Sequence, residues 1–224
     1  VTPLNDRERM HEIIRRLEEE FPDVQPFESE DAFPTLIRTI LSQNTSDRNS
    51  SLAYRRLKNR YTLTPEVLAE LQPGEIKPLI RCAGLHEIRS RRIVEVSKAV
   101  LELFDGNLRT VLDNPLDEAR GQLLGIKGVG YKTADILLCF VGKRDVMPID
   151  TNIFRVVNRL GFAEGRRYER VRRTLESLIP PNKIARMHLL LIQLGRDVCK
   201  PRRPLHQICP IKQCCSTFNA DRGG

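Results

Sequence analysis

The chain has 224 residues, 40% of them hydrophobic and 29% charged, which is enough to bury a core in one large or two small domains and too apolar for a disordered tail. No apolar run approaches the roughly twenty residues that cross a bilayer, and VTPLNDRERM has nothing like a signal peptide, so the expected setting is the cytoplasm, beside the nucleoid, with no membrane partner. Net charge is +8; residues 1–30 carry 4 basic and 9 acidic side chains, so the remainder carries 33 basic against 20 acidic, a body suited to a polyanion, nucleic acid first.

In chain order, every periodic segment predicts helix. Met10, Ile13, Ile14 and Leu17 repeat at i, i+3, i+4, i+7 behind Asn5 and Asp6, either of which can cap, and Phe33, Leu36, Ile37, Ile40 and Leu41 repeat in the same way. Thr64 before Pro65 marks a helix start. Gly84, Gly106, Gly161 and Gly195 each follow an apolar-periodic stretch, where a helix favours a left-handed terminal residue. The pattern predicts roughly ten helices and no strand, an all-α protein. Helix-poor breaks at 21–33 and 145–148 predict one compact set of helices over 29–147, with 1–28 and 148–224 able to pack as a second, discontinuous helical domain; the count of six helices for the first is what the family resemblance set out below implies.

The stretch Gly125–Asp135, GIKGVGYKTAD, opens an apolar run after a predicted helix from Pro115 to Leu124, so a helix-hairpin-helix unit is expected over about 115–142. Its spacing is not that of a P-loop and no strand precedes it, which excludes a nucleotide cradle of that kind. The backbone of Gly128, Val129 and Gly130 is instead placed to receive a DNA phosphate without reading bases. Lys132 falls in the first turn of the next helix, where the macrodipole disfavours an ammonium. Two roles are open to it: a neutral amine that acts as nucleophile, or one more cation facing phosphate. Asp150 follows at another helix start, where a carboxylate can serve as cap or as catalyst. The absence of Trp and the 5% aromatic content disfavour a single-strand stacking platform and favour duplex contact.

LLGIKGVGYKTADILL followed by PIDTNIFRVVNRLG resembles the helix-hairpin-helix and aspartate-bearing loop of the endonuclease III family of base excision DNA glycosylases. LIRTILSQNTSDRNS, GLHEIRSRRI and the C-terminal cysteines extend the resemblance over nearly the whole chain. It implies two helical domains flanking a DNA cleft, with Lys132 the catalytic lysine of bifunctional members and Asp150 the aspartate used by nearly all. The implied substrate is double-stranded DNA carrying a damaged base or an abasic site, acted on by a monomer. Oxidised pyrimidines are the first expectation, uracil or thymine opposite guanine the second, and a non-catalytic DNA-binding protein the contrasting class. Leu41–Asp47 matches the family stretch that fills the gap left by a flipped base, with Gln43 and Asn44 both candidates for entry, and Leu85, beside His86, matches an apolar wedge.

Six cysteines without a disulfide framework point to reduced thiols or metal ligands. Cys82 and Cys139 sit singly in apolar surroundings, whereas Cys199, Cys209, Cys214 and Cys215 crowd the segment 199–215. The family binds a [4Fe–4S] cluster through C-x6-C-x2-C-x5-C, and this chain reproduces the spacing as Cys199, His206, Cys209 and Cys215, with histidine at the second position. Two alternatives stay open: Cys214 in place of His206, and zinc held by three Cys and one His.

Overall fold

A computed structural model describes residues 5–26 and 31–220. Among them run thirteen α-helices and no strand: α1 (Asp6–Glu20), α2 (Ala32–Ser42), α3 (Asp47–Arg60), α4 (Pro65–Glu70), α5 (Pro73–Ile80), α6 (His86–Phe104), α7 (Leu108–Asp113), α8 (Leu116–Gly125), α9 (Tyr131–Ile136), α10 (Thr151–Leu160), α11 (Tyr168–Leu178), α12 (Ile184–Asp197) and α13 (Ser216–Ala220). The all-α expectation holds. Short 3₁₀ turns fill several connections, and α9 continues into a π-helical turn over Leu137–Val141. The chain divides into two compact units, Glu28–Arg144 and a second made of Val1–Phe27 with Asp145–Gly224. The boundary expected between 28 and 29 falls outside the described residues.

The unit Glu28–Arg144 is organised around α2. Leu36, Ile37, Ile40 and Leu41 are fully buried, and the helix touches α3, α6, α7 and α9. Each such aliphatic side chain taken from water contributes about 1.5–3 kcal/mol, so an amphipathic helix with this apolar stripe is drawn to the centre. Ser46 caps α3 through its hydroxyl, which accepts from the Asn49 amide at 3.3 Å, and Thr64 caps α4 in the same way at 3.4 Å, ahead of Pro65.

Within this unit, among the described residues, Arg120 and Asp135 form a buried ion pair. Arg120 of α8 donates through Nε and Nη2 to the two carboxylate oxygens of Asp135 of α9, at 2.8 and 3.1 Å, and Asp135 is 0% exposed. The Arg120 guanidinium also lies 5.2 Å from the ring centre of Tyr131, the first residue of α9. A two-pronged, charge-assisted contact fixes orientation as well as distance, so the two helices on either side of the glycine hairpin are held in one geometry.

In the other unit, α1 buries Met10, Ile13, Ile14 and Leu17, the positions its period marks, and touches α11 and α12. Asn5 and Glu8 form a reciprocal capping box, Glu8 N–H to Asn5 Oδ1 at 3.0 Å and Asn5 N–H to Glu8 Oε2 at 2.9 Å. Gly161 ends α10 with φ +81°, as expected, but Gly195 corrects the expectation of a helix end: it lies inside α12, which continues to Asp197. Its function is close approach, because a Cβ there would meet the Cβ of Asn152 at 2.8 Å.

Replacing Arg120 by Met should therefore destabilise the protein by about 3–5 kcal/mol, because it strips a buried carboxylate of its guanidinium. The double variant Arg120→Met, Asp135→Leu should recover most of the loss, as read from urea unfolding midpoints.

Candidate functional site

The hairpin between α8 and α9 turns at Gly128, whose φ of +96° is open to glycine and strained for other residues. Gly128 and Gly130 are exposed, while Val129 is buried and gives its N–H to the Ile126 carbonyl at 3.0 Å. The hairpin thus offers outward the glycine backbone on either side of Val129, not three equivalent amides. Gly130 caps α9 without a side-chain bond, so the first turn relies on outside acceptors for its N–H groups. Lys132 is the second residue of that helix and is half-buried.

Behind the hairpin stands Arg92 of α6, a residue the sequence did not single out. Its side chain packs where a Cβ on Gly128 would sit, with Cγ, Cδ and Nε all at 3.3 Å from that position, and its Nη1 donates to Gln43 Oε1 at 3.1 Å. Arg89, one turn earlier and 3% exposed, donates to the carbonyls of Leu41, at 2.7 Å, and of Gln43. The two arginines tie the end of α2 to α6: Arg89 satisfies main-chain carbonyls that a helix end leaves open, and Arg92 holds the Gln43 side chain. Gln43 is consequently half-buried and engaged, whereas Asn44 is exposed and left-handed at φ +50°. Leu85 also takes a left-handed conformation, φ +49°, and is 55% exposed, with half-buried His86 starting α6 behind it. A signal for Arg89 was present in the sequence: it lies on the same helical face as Ile93 and Val96, both buried, and a charge on a buried stripe needs internal partners.

Asp150, in the other unit, caps α10. Its Oδ1 accepts from the Ile153 amide at 2.8 Å, and its Oδ2 accepts from Asn152 Nδ2 at 2.9 Å. Asn152 is itself held, since its Oδ1 accepts from Arg155 Nη2 at 2.9 Å, and Arg155 also donates to the carbonyls of Gly195 at 2.7 Å and Cys199 at 2.8 Å. Two of the four carboxylate lone-pair directions are therefore engaged, which orients the group and leaves acceptor capacity on a half-buried surface.

Cys199, His206, Cys209 and Cys215 line one cavity, whose free volume counted to its mouth is about 380 Å³ and whose walls include Val156, Leu194 and Ile211. Cys214 is buried but absent from that lining, and its thiol lies within the electrostatic reach of Arg16 and Glu12 on α1. Cys139 is buried, and Cys82, half-buried, points its thiol at the Asn49 carbonyl at 3.6 Å. Burial pushes the Cys209 thiol above its ordinary range, and nearby Cys215 and Cys199 push the same way. Arg159 donates to Cys199 Sγ at 3.2 Å, and His206 stands edge-on to Phe218 at 5.3 Å between ring centres. Among the described residues, no three His, Cys, Asp or Glu side chains converge closely enough to hold a single ion.

Residues 37–181 match the family described as HhH-GPD superfamily base excision DNA repair protein. The chain is 32% identical over 209 residues to endonuclease III of Thermotoga maritima, covering 93% of each protein. Its fold is similar to that of a trapped endonuclease III–DNA covalent intermediate, with a TM-score of 0.83 and 25% identity over 98% of this chain and 100% of that one. A thermostable thymine-DNA glycosylase shares the fold, with a TM-score of 0.78 at 21% identity over 95% and 97% of the two chains.

The cap geometry separates two roles of Asp150. Asp150→Ala should lower stability by about 0.5–2 kcal/mol through loss of the Ile153 hydrogen bond, while Asp150→Asn, which retains a capping oxygen, should unfold within about 0.5 kcal/mol of the parent in urea.

Proposed function

The chain belongs to the endonuclease III family of helix-hairpin-helix base excision DNA repair glycosylases, and we propose that it is a bifunctional member, excising oxidised pyrimidines and then cutting the strand through a lysine Schiff base. The observation that carries this is Lys132, half-buried in the first turn of the glycine-opened helix α9, the helix that also carries Asp135 of the buried ion pair. A pure binder needs no lysine there and no oriented carboxylate at Asp150.

A damaged nucleotide must leave the stack before its C1′ can be reached. Asp150, as a fixed carboxylate, stabilises the oxocarbenium character that develops as the glycosidic bond breaks. The Lys132 amine attacks C1′, the base departs with the bonding electrons, and loss of a proton from nitrogen accompanies ring opening to the Schiff base. Removal of a C2′ proton then expels the 3′ phosphate by β-elimination. Of the two side chains proposed to fill the vacated gap, Asn44 is favoured because Gln43 is already engaged by Arg92. Leu85, an exposed apolar side chain on a fixed turn, suits a wedge beside the orphaned base, with His86 supporting it. The backbone at Gly128 and Gly130 suits a phosphate, with Val129 as the anchor between them.

We assign a [4Fe–4S] cluster to Cys199, His206, Cys209 and Cys215. Four donors spread around one cavity suit a polynuclear group, whereas zinc wants its ligands converging on a point. The cavity lining favours His206 over Cys214 as the fourth ligand. When bound, the group supplies a rigid cross-link for the loop 199–215, which carries Lys200, Arg202 and Arg203.

Borohydride should trap the protein covalently on a duplex with an oxidised pyrimidine and on one with an abasic site, and Lys132→Gln should abolish both adducts. Failure to trap on any lesion, uracil or thymine opposite guanine included, would remove the lyase assignment. The purified protein should also absorb in the visible and contain iron with acid-labile sulfide, and His206→Cys should lower the reduction potential of the cluster. A colourless protein with stoichiometric zinc would overturn the cluster.

A further inference from the structure

Residues Val146, Met147, Pro148 and Ile149 form a buried, non-helical run that leads directly into Asp150. Backbone polar groups shut away from water must find partners inside the protein. Here side chains provide them. Met147 N–H donates to Glu176 Oε1 at 2.9 Å, Ile149 N–H donates to the Tyr168 hydroxyl oxygen at 3.1 Å, and the Pro148 carbonyl meets His188 Nδ1 at 2.9 Å. A carbonyl can only accept, so Nδ1 of the 2% exposed His188 is the donor in this contact. Three consecutive residues are thus gripped from α11 and α12 by groups 29, 19 and 40 positions away.

The grips are themselves braced. Arg172, buried on α11, donates through Nη1 to both carboxylate oxygens of Glu176 at 2.9 and 2.7 Å. The Tyr168 ring stands edge-on to Phe154 of α10, with centres 6.3 Å apart. Asp150 therefore has its carboxylate oriented from one side by the α10 N-terminus and Asn152, and its backbone oriented from the other by the run 147–149.

We propose that Tyr168, Glu176 and His188 are positioning residues for base excision, setting the Asp150 carboxylate by clamping the peptide that enters it. The inference rests on the assignment of Asp150 as the group that stabilises the oxocarbenium. None of the three touches the reacting sugar; they act through Asp150. Loss of one grip lets the buried run relax, and a misplacement of about 1 Å at a charge-stabilising group costs on the order of 100-fold in rate.

The test uses the full chain with its cluster. Tyr168→Phe keeps the ring and its contact with Phe154 and removes only the oxygen that accepts from Ile149. Two quantities are measured: the single-turnover excision rate on a duplex with an oxidised pyrimidine, and affinity for a duplex with a tetrahydrofuran abasic analogue. Both are repeated in the Asp150→Asn background. Excision should fall about 10- to 100-fold with affinity unchanged, and Tyr168→Phe should cause no further fall when Asp150 is already Asn. Glu176→Met should behave as Tyr168→Phe does, and Glu176→Gln, which retains an acceptor oxygen, should restore much of the rate; this pair serves if Tyr168→Phe fails to fold. Equal losses in both backgrounds, or no loss where Asp150→Asn is defective, would overturn the clamp alone. An Asp150→Asn protein excising at the parent rate would overturn the assignment of Asp150, and the clamp with it.

Discussion

The bidentate contact between Arg120 and Asp135 is the constraint on which the helix-hairpin-helix unit depends. It joins the helices before and after the glycine turn from inside, with the Asp135 carboxylate closed to solvent and Arg120 largely so. Because the pair is buried, its worth is one of geometry more than of net stability: a guanidinium and a carboxylate sharing two parallel hydrogen bonds admit one mutual orientation. Lys132 lies three residues before Asp135 on the same short helix, so the direction in which its amine leaves the helix follows from that orientation. The Arg120 guanidinium beneath the exposed Tyr131 ring extends the same control to the first residue of α9.

Arginine does comparable service elsewhere in each unit. Arg89 and Arg92 bind the end of α2 to α6, with Arg92 filling the space beside Gly128. Arg155 joins the Asn152 side chain to the carbonyls of Gly195 and Cys199, and Arg159 reaches both the Cys199 sulfur and the carbonyls of Lys200 and Pro201. A chain of this net charge is easily read as a basic surface for a polyanion. Several of its arginines are instead engaged within the fold: Arg89, Arg155 and Arg159 donate to backbone carbonyls, and buried Arg120 and Arg172 to carboxylates.

The C-terminal loop shows the same economy of partners. α1 meets it through Arg9 and Arg16, which donate to the carbonyls of Cys214 and Pro210, so the first helix supports the last turns of the chain. Cys214 is drawn toward that side and Cys215 toward the cavity, as neighbouring side chains on an irregular backbone tend to diverge. His206, at the edge of Phe218, has one apolar wall and one face toward the cavity donors.

The sequence by itself determined the elements whose cause is short-range. The 3.6-residue period marked the buried face of α1 and α2, Asn5, Thr64 and Asp150 were legible as caps, and the glycine turn and the cysteine and histidine spacing could be read directly. Each of these follows from residues close to one another along the chain. The tertiary structure decided which side chains serve as partners: Arg92 for Gln43 at a separation of 49, Arg155 for Cys199 at 44, Glu176 for Met147 at 29. It also placed Gly195 within α12 against Asn152, where the sequence suggested a helix end. Periodicity fixes which face of a helix is buried but carries no information about what that face meets, because the crossing of two helices depends on their packing and not on their spacing along the chain.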